Sequence, residues 1–172
     1  KIVGRTMDWP EGTGFVEINA RGIKKQALMI KDDSQPVEWL SAHGSVAFNL
    51  VETIKGKGKM AASLGGMNEK GLWAATLWVH TPPEVKYQEK NRKPTINNWQ
   101  FQQYILDNFQ NVEEVVKGMS KIRISGFEEG DFVVAIHWFV ADASGDSAII
   151  EFPNGKLAIH RNPEQKVLTN SF

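Results

Sequence analysis

The chain has 172 residues, of which 41% are hydrophobic, and its twenty basic residues balance twenty acidic ones. A chain of this length can bury a core within a single domain, and its balanced charge gives no indication of a nucleic acid or an acidic lipid as partner. Its longest apolar runs, such as residues 132–140, are far shorter than the ~20 residues that cross a bilayer, so membrane insertion is not expected.

The first half of the chain is predicted to consist of strands. Apolar segments bounded by glycines and charges predict them at residues 2–7, 15–20, 27–31, 45–50 and 72–79. The lysine- and glycine-rich stretch 55–59 is interpreted as an exposed hairpin tip; a phosphate-binding loop is the alternative, although no Walker sequence surrounds it. Gly65-Gly66 is interpreted as a turn, and prolines and charges at residues 81–94 predict an exposed loop.

Two helices are predicted in the middle of the chain, followed by further strands. Thr95 can cap the first helix, whose apolar side chains approximate one face: Ile96, Trp99, Tyr104, Ile105 and Phe109. Asn111 is expected to begin the second helix, with Glu114 three residues later as in a capping box. Strands are predicted again at residues 132–140, 147–152 and 157–160, the last two joined by a hairpin turn at Asn154-Gly155. Strands, then helices, then strands predict an α+β layered domain.

The chain contains no catalytic motif that can be recognised without comparison to a related protein. The four histidines are interpreted as strand or loop residues, because no pair has helical or zinc-finger ligand spacing: His43, His80, His137 and His160. Neither a metal nor another cofactor is therefore expected. The segment Ser144-Gly145-Asp146-Ser147 has no histidine partner in a recognisable arrangement. The absence of cysteine excludes disulfides, thiolate metal sites and a cysteine nucleophile among these residues.

Four phrases of the chain are informative when taken together. They are Gly4-Arg5-Thr6-Met7-Asp8-Trp9, Gly66-Met67-Asn68-Glu69-Lys70-Gly71-Leu72, Ala141-Asp142-Ala143-Ser144-Gly145-Asp146-Ser147-Ala148 and Val167-Leu168-Thr169-Asn170-Ser171. In this order, with helices predicted between the second and the third, they resemble segments of the choloylglycine hydrolase and penicillin V acylase family. The resemblance covers essentially all 172 residues, which is about half of a full-length member.

The resemblance implies an Ntn-hydrolase fold, a four-layer αββα sandwich whose two stacked sheets are mainly antiparallel. It also implies hydrolysis of linear, non-peptide amides, such as an N-acyl amino acid, a conjugated bile salt or penicillin V. The family's nucleophile is a cysteine at the start of the mature chain, whose α-amino group can act as the base because such an amine has a pKa of about 7.7–8.0. The implied partner is a small-molecule amide, and the family suggests a homo-oligomer, specifically a tetramer.

Three residues match catalytic positions of the family. Arg5 matches the arginine beside the nucleophile, where a permanent positive charge favours the thiolate and holds an acyl or carbonyl oxygen. Asp8 matches the aspartate that orients the nucleophile, and Asn170 matches the asparagine whose amide stabilises the tetrahedral oxyanion. The structural alternatives are a surface arginine paired with Asp8, an aspartate that caps the turn into Trp9-Pro10, and a turn asparagine.

Trp78 occupies a position at which bile salt hydrolases carry an asparagine and penicillin V acylases often carry a tyrosine. Its indole N–H can donate to an oxyanion, or its ring can form a wall of the acyl pocket and so contact the substrate. A core tryptophan is the alternative. The departure from asparagine weakens the case for a bile salt as substrate.

Two segments of the family pattern lie outside residues 1–172: the start that carries the nucleophile and a later arginine. We therefore expect residues 1–172 to form a single Ntn-hydrolase domain that lacks its nucleophile-bearing N-terminus and its C-terminal part. The leading hypothesis is a linear amide hydrolase. The alternatives are a catalytically inactive relative that keeps a ligand-binding pocket, and a β-rich interaction domain that matches by chance. Both a periplasmic and a cytoplasmic location remain open.

Overall fold

The computed structural model of the chain describes residues 2–6, 13–28, 34–54, 58–79, 85–129, 132–161, 164 and 167–170. The strands within these residues are, in chain order, β1 (Gly14–Asn19), β2 (Lys24–Gln26), β3 (Glu38–Leu40), β4 (Ser45–Ile54), β5 (Gly58–Asn68), β6 (Trp73–Trp78), β7 (Thr95–Asn97), β8 (Arg123–Ser125), β9 (Glu128–Glu129), β10 (Phe132–Val133), β11 (Ile136–Ala141), β12 (Ser147–Glu151) and β13 (Ala158–His160). The helices α1 (Asn98–Asn108) and α2 (Val112–Gly118) lie between β7 and β8. Of the helices described, none is long and apolar enough to cross a membrane.

One sheet of seven strands organises the described residues. Its order is β1-β4-β5-β6-β11-β12-β13, and every neighbouring pair is antiparallel. The remaining strands form two-stranded sheets, in which β2 pairs with β3 and β9 with β10 antiparallel, whereas β7 and β8 are parallel. Because β6 pairs with β11, the long connection between them carries both helices back across the sheet.

The hydrophobic core lies between α1 and one face of this sheet. Alternate side chains of β6 and β11 point to that face, and Ala74 and Trp138 are completely buried there. Phe101 of α1 meets the Trp138 ring edge-on, with the ring centroids 5.1 Å apart. Gly66 of β5 lies directly under the helix, since a Cβ at this position would be 2.8 Å from Leu106 Cδ1. A larger residue at position 66 would therefore displace α1.

Helix α1 begins two residues later than the sequence predicted. Thr95 does not cap it, because the Thr95 N–H donates to Gln35 and the Thr95 carbonyl accepts from Val37, which makes it part of a short strand. Asn97 is the N-cap, and its side chain accepts from the Gln100 N–H at 2.9 Å. For α2 the prediction is confirmed, with Asn111 as the N-cap residue.

The predicted hairpin turn at Asn154-Gly155 is confirmed. Strands β12 and β13 pair antiparallel, and the turn between them is closed by a hydrogen bond from the Lys156 N–H to the Pro153 carbonyl. Asn154 has φ of 51° and Gly155 has φ of 80°. Positive φ at both central residues is what a type I′ turn requires, and asparagine followed by glycine tolerates it best.

Other predicted strands are found with shifted bounds, and a few are wrong. Residues 2–6 form no strand. Of the strand predicted at 27–31, residues 29–31 lie outside the described residues and residues 27–28 form no strand, while the nearby strand β2 pairs its residues 24–26 with β3. The run 132–140 is divided between β10 and β11, which belong to different sheets. The glycines Gly65-Gly66 lie inside β5 and form no turn. The predicted tip at 55–59 lies partly outside the described residues, but β4 and β5 on either side of it do pair as a hairpin.

Candidate active site

A cavity of about 1120 Å³ lies on the face of the seven-stranded sheet that α1 does not cover. Its floor is formed by alternate residues of the two central strands, Trp73, Ala75 and Leu77 on β6 together with Phe139 and Ala141 on β11. The residues that alternate with these along β6 and β11 point to the opposite face, toward the core on the helix side. Residues 2–6 and 167–170 complete the walls.

Two of the predicted site residues meet in this cavity although they come from opposite ends of the chain. Arg5 reaches it from the segment 2–6, and Asn170 reaches it from the segment 167–170. Both segments lack regular secondary structure, so their positions depend on contacts with the sheet below them. Arg5 and Asn170 therefore line the same cavity.

Arg5 lines the cavity, and one nitrogen of its guanidinium is unsatisfied. Its Nη1 is buried and has no hydrogen-bond partner among the described residues. Gly65 leaves space for the Trp73 ring beside Arg5, because a Cβ at that position would lie 3.2 Å from the ring, whereas Arg5 Nη1 would be at an ordinary contact distance of 3.6 Å. Burial lowers the pKa of Arg5 from its ordinary value, but a guanidinium stays protonated in proteins. A buried cation with a free donor is suited to an anion or to a carbonyl oxygen that gains charge.

Ser147, the first residue of β12, places a second unsatisfied donor in the same cavity. Its residue is 4% exposed, and its hydroxyl oxygen has no hydrogen-bond partner in the part of the chain that the structure describes. A buried hydroxyl without a partner costs stability unless a ligand or water satisfies it. From the sequence this serine was noted in a segment without a histidine partner and in a family phrase, and it was not predicted as a site residue. The strand alternation Ser-Ala-Ile-Ile-Glu of β12, with its polar ends in phase, is the signal that points to it.

A buried histidine contacts one of the segments that line the cavity. His137 is completely buried, with Nδ1 2.8 Å from Glu151 Oε1 and Nε2 2.9 Å from the carbonyl oxygen of Thr169. The other oxygen of Glu151 lies 3.2 Å from His160 Nε2. Extending the β11–β12 register by one pair brings His137 opposite Glu151. His137 was interpreted from the sequence as a strand or loop histidine, and its contact with the segment that carries Asn170 was not predicted.

The rim of the cavity carries two carboxylates that are already engaged. Burial would raise the pKa of Asp142, but hydrogen bonds from the Ser144 hydroxyl and from the N–H groups of Val112, Ser144 and Asp146 outweigh it, so this pKa is lowered. Asp146 is paired with Arg161, which also contacts Glu113; these bonds raise the pKa of Arg161. The rim is thus held by internal pairs, and the donors inside the cavity are left for a ligand.

A metal centre is not evident in this region. No group of three or more histidine, aspartate or glutamate side chains is arranged to hold a metal ion among the described residues. The donor set of the cavity, a guanidinium, an amide and a hydroxyl, is suited to binding oxygen atoms of an organic ligand rather than a cation.

Comparison with known proteins identifies the family of the chain. The family model described as "Linear amide C-N hydrolases, choloylglycine hydrolase family" matches residues 1–172. The chain belongs to this family. Penicillin V acylase of Pectobacterium atrosepticum is 36% identical over 175 residues, which cover 99% of this chain and 45% of that protein. Bile salt hydrolase/transferase of Clostridium perfringens is 34% identical over 110 residues, which cover 62% of this chain and 32% of that protein.

Solved structures agree with this membership. Penicillin V acylase from Agrobacterium tumefaciens superposes with a TM-score of 0.76 and 32% identity over 97% of this chain and 47% of that chain. A variant of conjugated bile acid hydrolase from Clostridium perfringens gives 0.64 at 22% identity, over 87% of this chain and 43% of that chain, which supports the fold alone. The predicted α+β fold of the Ntn-hydrolase type, with a mainly antiparallel sheet, is confirmed. The chain spans about half the length of the relatives it matches.

The remaining site predictions for this choloylglycine hydrolase family member fare differently. Asp8 lies outside the described residues, so its role stays a prediction. Trp78 is described, and it lies on β6 in phase with Ala74 and Thr76, on the helix side of the sheet. There it packs against the hydrophobic core. The cavity floor is formed by the alternate residues of β6, which favours the core alternative for Trp78, and its contact with a substrate stays a prediction.

Proposed function

We propose that the protein to which this chain belongs hydrolyses linear, non-peptide amides that carry an apolar acyl group. The observation that carries the proposal is the meeting of Arg5 and Asn170 in one cavity, in a chain whose family comprises linear amide C–N hydrolases. The positions of these two residues in the sequence give no other reason for them to be close. Their shared cavity supports the proposal, because residues assigned to one reaction must line one site.

The chemistry proposed for the complete protein begins with a cysteine thiolate that lies outside residues 1–172. Its attack on the amide carbonyl forms a C–S bond and places negative charge on the carbonyl oxygen. The Asn170 amide donates to that oxygen, while Arg5 supports the thiolate and Asp8 orients it. The C–N bond then breaks, the amine leaves with a proton, and water hydrolyses the thioester. The products are a carboxylic acid and an amine.

The cavity supports an apolar acyl group. Trp73, Leu77 and Phe139 give it an apolar floor, whereas Arg5 and Ser147 supply polar groups. Aromatic and aliphatic walls with a few placed donors are typical of sites for small organic ligands. A phenoxyacetyl amide such as penicillin V, an N-acyl amino acid and a conjugated bile salt all combine an apolar body with a polar amide. We place the phenoxyacetyl amide first, because the most extensive matches reported above are with penicillin V acylases.

A second candidate is a relative that binds such an amide without cleaving it. The observation in its favour is that none of the 172 residues is cysteine. Intact mass and N-terminal sequencing of the natively produced protein separate the two candidates. A mature chain that begins with cysteine supports the hydrolase, and a chain without cysteine supports the binding protein. The homotetramer that the family suggests stays a prediction, which light scattering on the same sample tests.

The decisive assay measures amine release from penicillin V, a glycine-conjugated bile salt and an N-acyl homoserine lactone by the native protein. Arg5→Ala should lower kcat/KM by about 10²-fold or more, as the loss of a charge-stabilising donor does in comparable sites. Arg21→Ala is the matched control, because Arg21 is an exposed arginine paired with Glu69 and it does not line the cavity. Equal activity of the Arg5 and Arg21 variants would remove Arg5 from the site, and no turnover of any amide would contradict the hydrolase.

A further inference from the structure

The contacts of His137 raise a question that the proposed reaction does not answer. This histidine is completely buried, it does not line the cavity, and it contacts a backbone carbonyl beside Asn170. Its other ring nitrogen is bonded to Glu151, which is 6% exposed. A buried imidazole paired with a buried carboxyl group is a costly arrangement to keep inside a protein unless its hydrogen bonds are well satisfied.

The acceptor at Thr169 determines which ring nitrogen of His137 carries a proton. The Thr169 carbonyl oxygen has no proton to give, so Nε2 must carry one. Glu151 then sets the state of Nδ1: an ionised carboxylate accepts a second N–H from the ring, whereas a protonated carboxyl donates to a bare Nδ1. In both states Nε2–H remains the donor. The Glu151 contact thus orients the ring so that Nε2–H points at Thr169.

The Thr169 carbonyl belongs to the same peptide unit as the N–H and Cα of Asn170. A peptide unit is planar, so a hydrogen bond to its oxygen also fixes the direction in which the next residue leaves. The segment 167–170 has no regular secondary structure, and Asn170 itself is exposed. His137 and Glu151, by contrast, belong to the central strands β11 and β12. The rigid sheet therefore has a direct hold on the backbone of an otherwise irregular segment.

We propose that His137, oriented by Glu151, is a positioning residue that sets the location of the Asn170 amide in the cavity. The inference rests on the proposed function, in which Asn170 stabilises the oxyanion. A donor of this kind must be held to within about 0.5 Å, and misplacement by about 1 Å can cost 10²-fold in rate. The histidine does not touch the substrate. Its effect on catalysis passes through the peptide unit between Thr169 and Asn170.

Two substitutions of similar size separate the donor from the rest of the side chain. In His137→Gln the side-chain amide nitrogen can reach the place of Nε2 and keep the bond to Thr169. In His137→Asn the shorter amide reaches only the place of Nδ1, so the contact with Glu151 can persist while the bond to Thr169 is lost. His43→Asn is the control, because His43 is also a buried histidine beside a glutamate, Glu69, and it does not line the cavity.

Steady-state kinetics on the complete native protein, with an amide it cleaves, give the first readout. His137→Asn should lower kcat by about tenfold or more and change KM less than about threefold, because the misplaced donor acts in the transition state. His137→Gln should recover most of this loss. In an Asn170→Ala background, His137→Asn should add little, since a positioning residue has nothing left to position. Equal losses with and without Asn170 would assign His137 a general structural role and overturn the inference.

Hydrogen–deuterium exchange gives a second readout that needs no activity. The peptide containing residues 167–170 should exchange faster in His137→Asn than in His137→Gln or His43→Asn. Unchanged exchange in His137→Asn would overturn the inference, even if the wild-type protein cleaved no amide and the proposed function had failed. If His137→Asn does not fold, His137→Met has the length of glutamine without its donor and carries the same expectations. Faster exchange combined with an unchanged kcat in an active enzyme would also overturn it.

Discussion

The two faces of the seven-stranded sheet differ in how much of their apolar surface is buried. On the helix side, Trp138 and Phe101 are completely buried and pack ring against ring. On the cavity side, Phe48 and Met67 are 49% and 41% exposed. Their pairing with β5 and β6 places them on the same face of the sheet as the cavity floor. Burial of apolar surface is the main source of stability. The helix face therefore buries more apolar surface than the cavity face and contributes more to the stability of the fold.

The largest expected effect tests this difference with one residue type on each face. Phe101→Ala should lower the free energy of unfolding by about 3–5 kcal/mol, because it leaves a cavity among buried side chains. Phe48→Ala should cost less than about 1 kcal/mol, since nearly half of that ring is exposed. Urea unfolding of the native protein measures both. A cost at Phe48 as large as that at Phe101 would mean that Phe48 is covered in the complete protein, which would limit the comparison to residues 1–172.

A smaller loss of stability is expected at Asn68, a polar side chain of β5 that connects the sheet to α1. The Asn68 amide donates to the carbonyl oxygens of Leu106 and Phe109, and its own oxygen accepts from the N–H groups of Lys70 and Leu72. Asn68→Ala should cost about 2 kcal/mol, because it leaves carbonyl groups at the end of α1 without a donor. Asn68→Asp should cost at least as much, since a carboxylate facing two carbonyl oxygens cannot donate to them.

The control for this prediction is Lys70→Ala, which changes an exposed side chain in the same turn and keeps the backbone N–H that Asn68 binds. It should stay within about 0.5 kcal/mol of the wild type in thermal or urea unfolding. If Asn68→Asp were as stable as the wild type, the Asn68 amide would not act as a stabilising donor to α1.

Asn68 also shows what a family phrase means in physical terms. The phrase Met67-Asn68-Glu69-Lys70-Gly71-Leu72 contributed to the family assignment, yet the structure gives its asparagine a structural task rather than a catalytic one. The hairpin at Asn154-Gly155 was predictable for a different reason, because its turn needs positive φ at two adjacent residues and few dipeptides accept that. Local chemistry of this kind can be found in a sequence without any relative.

Long-range placement was less predictable. Threonine is a common helix cap, but the backbone of Thr95 is hydrogen-bonded to Gln35 and Val37 instead. Those residues are distant in sequence, so the local pattern around Thr95 could not predict the contact. Trp78 was assigned by counting along a strand, whereas the face to which it points depends on the pairing of β6 with β11. The meeting of Arg5 and Asn170 could be predicted only from the family resemblance. No periodicity in the chain specifies it.

The smallest predicted effect compares one unsatisfied hydroxyl on each face. Ser147 on the cavity side and Thr76 on the helix side are both buried, and neither hydroxyl has a partner among the residues described. Removal of such a group should be neutral or slightly stabilising, so Ser147→Ala and Thr76→Val should both unfold within about 0.5 kcal/mol of the wild type. Only Ser147 faces the cavity. We therefore expect Ser147→Ala to raise KM about fivefold, the loss of about 1 kcal/mol of substrate binding, and Thr76→Val to leave KM unchanged.

Paired measurements of unfolding and of KM decide between two explanations of the Ser147 hydroxyl. If the hydroxyl binds the substrate, Ser147→Ala raises KM and leaves the free energy of unfolding unchanged. If it serves the fold through a residue beyond those described, the alanine variant loses 1 kcal/mol or more of stability and its KM does not change. An equal rise of KM in both variants would mean that the sheet transmits the change, and then the two faces would not be independent. The threonine variant is needed for that reason, since Ser147→Ala alone cannot distinguish a direct contact from a shift of the strands beneath the cavity.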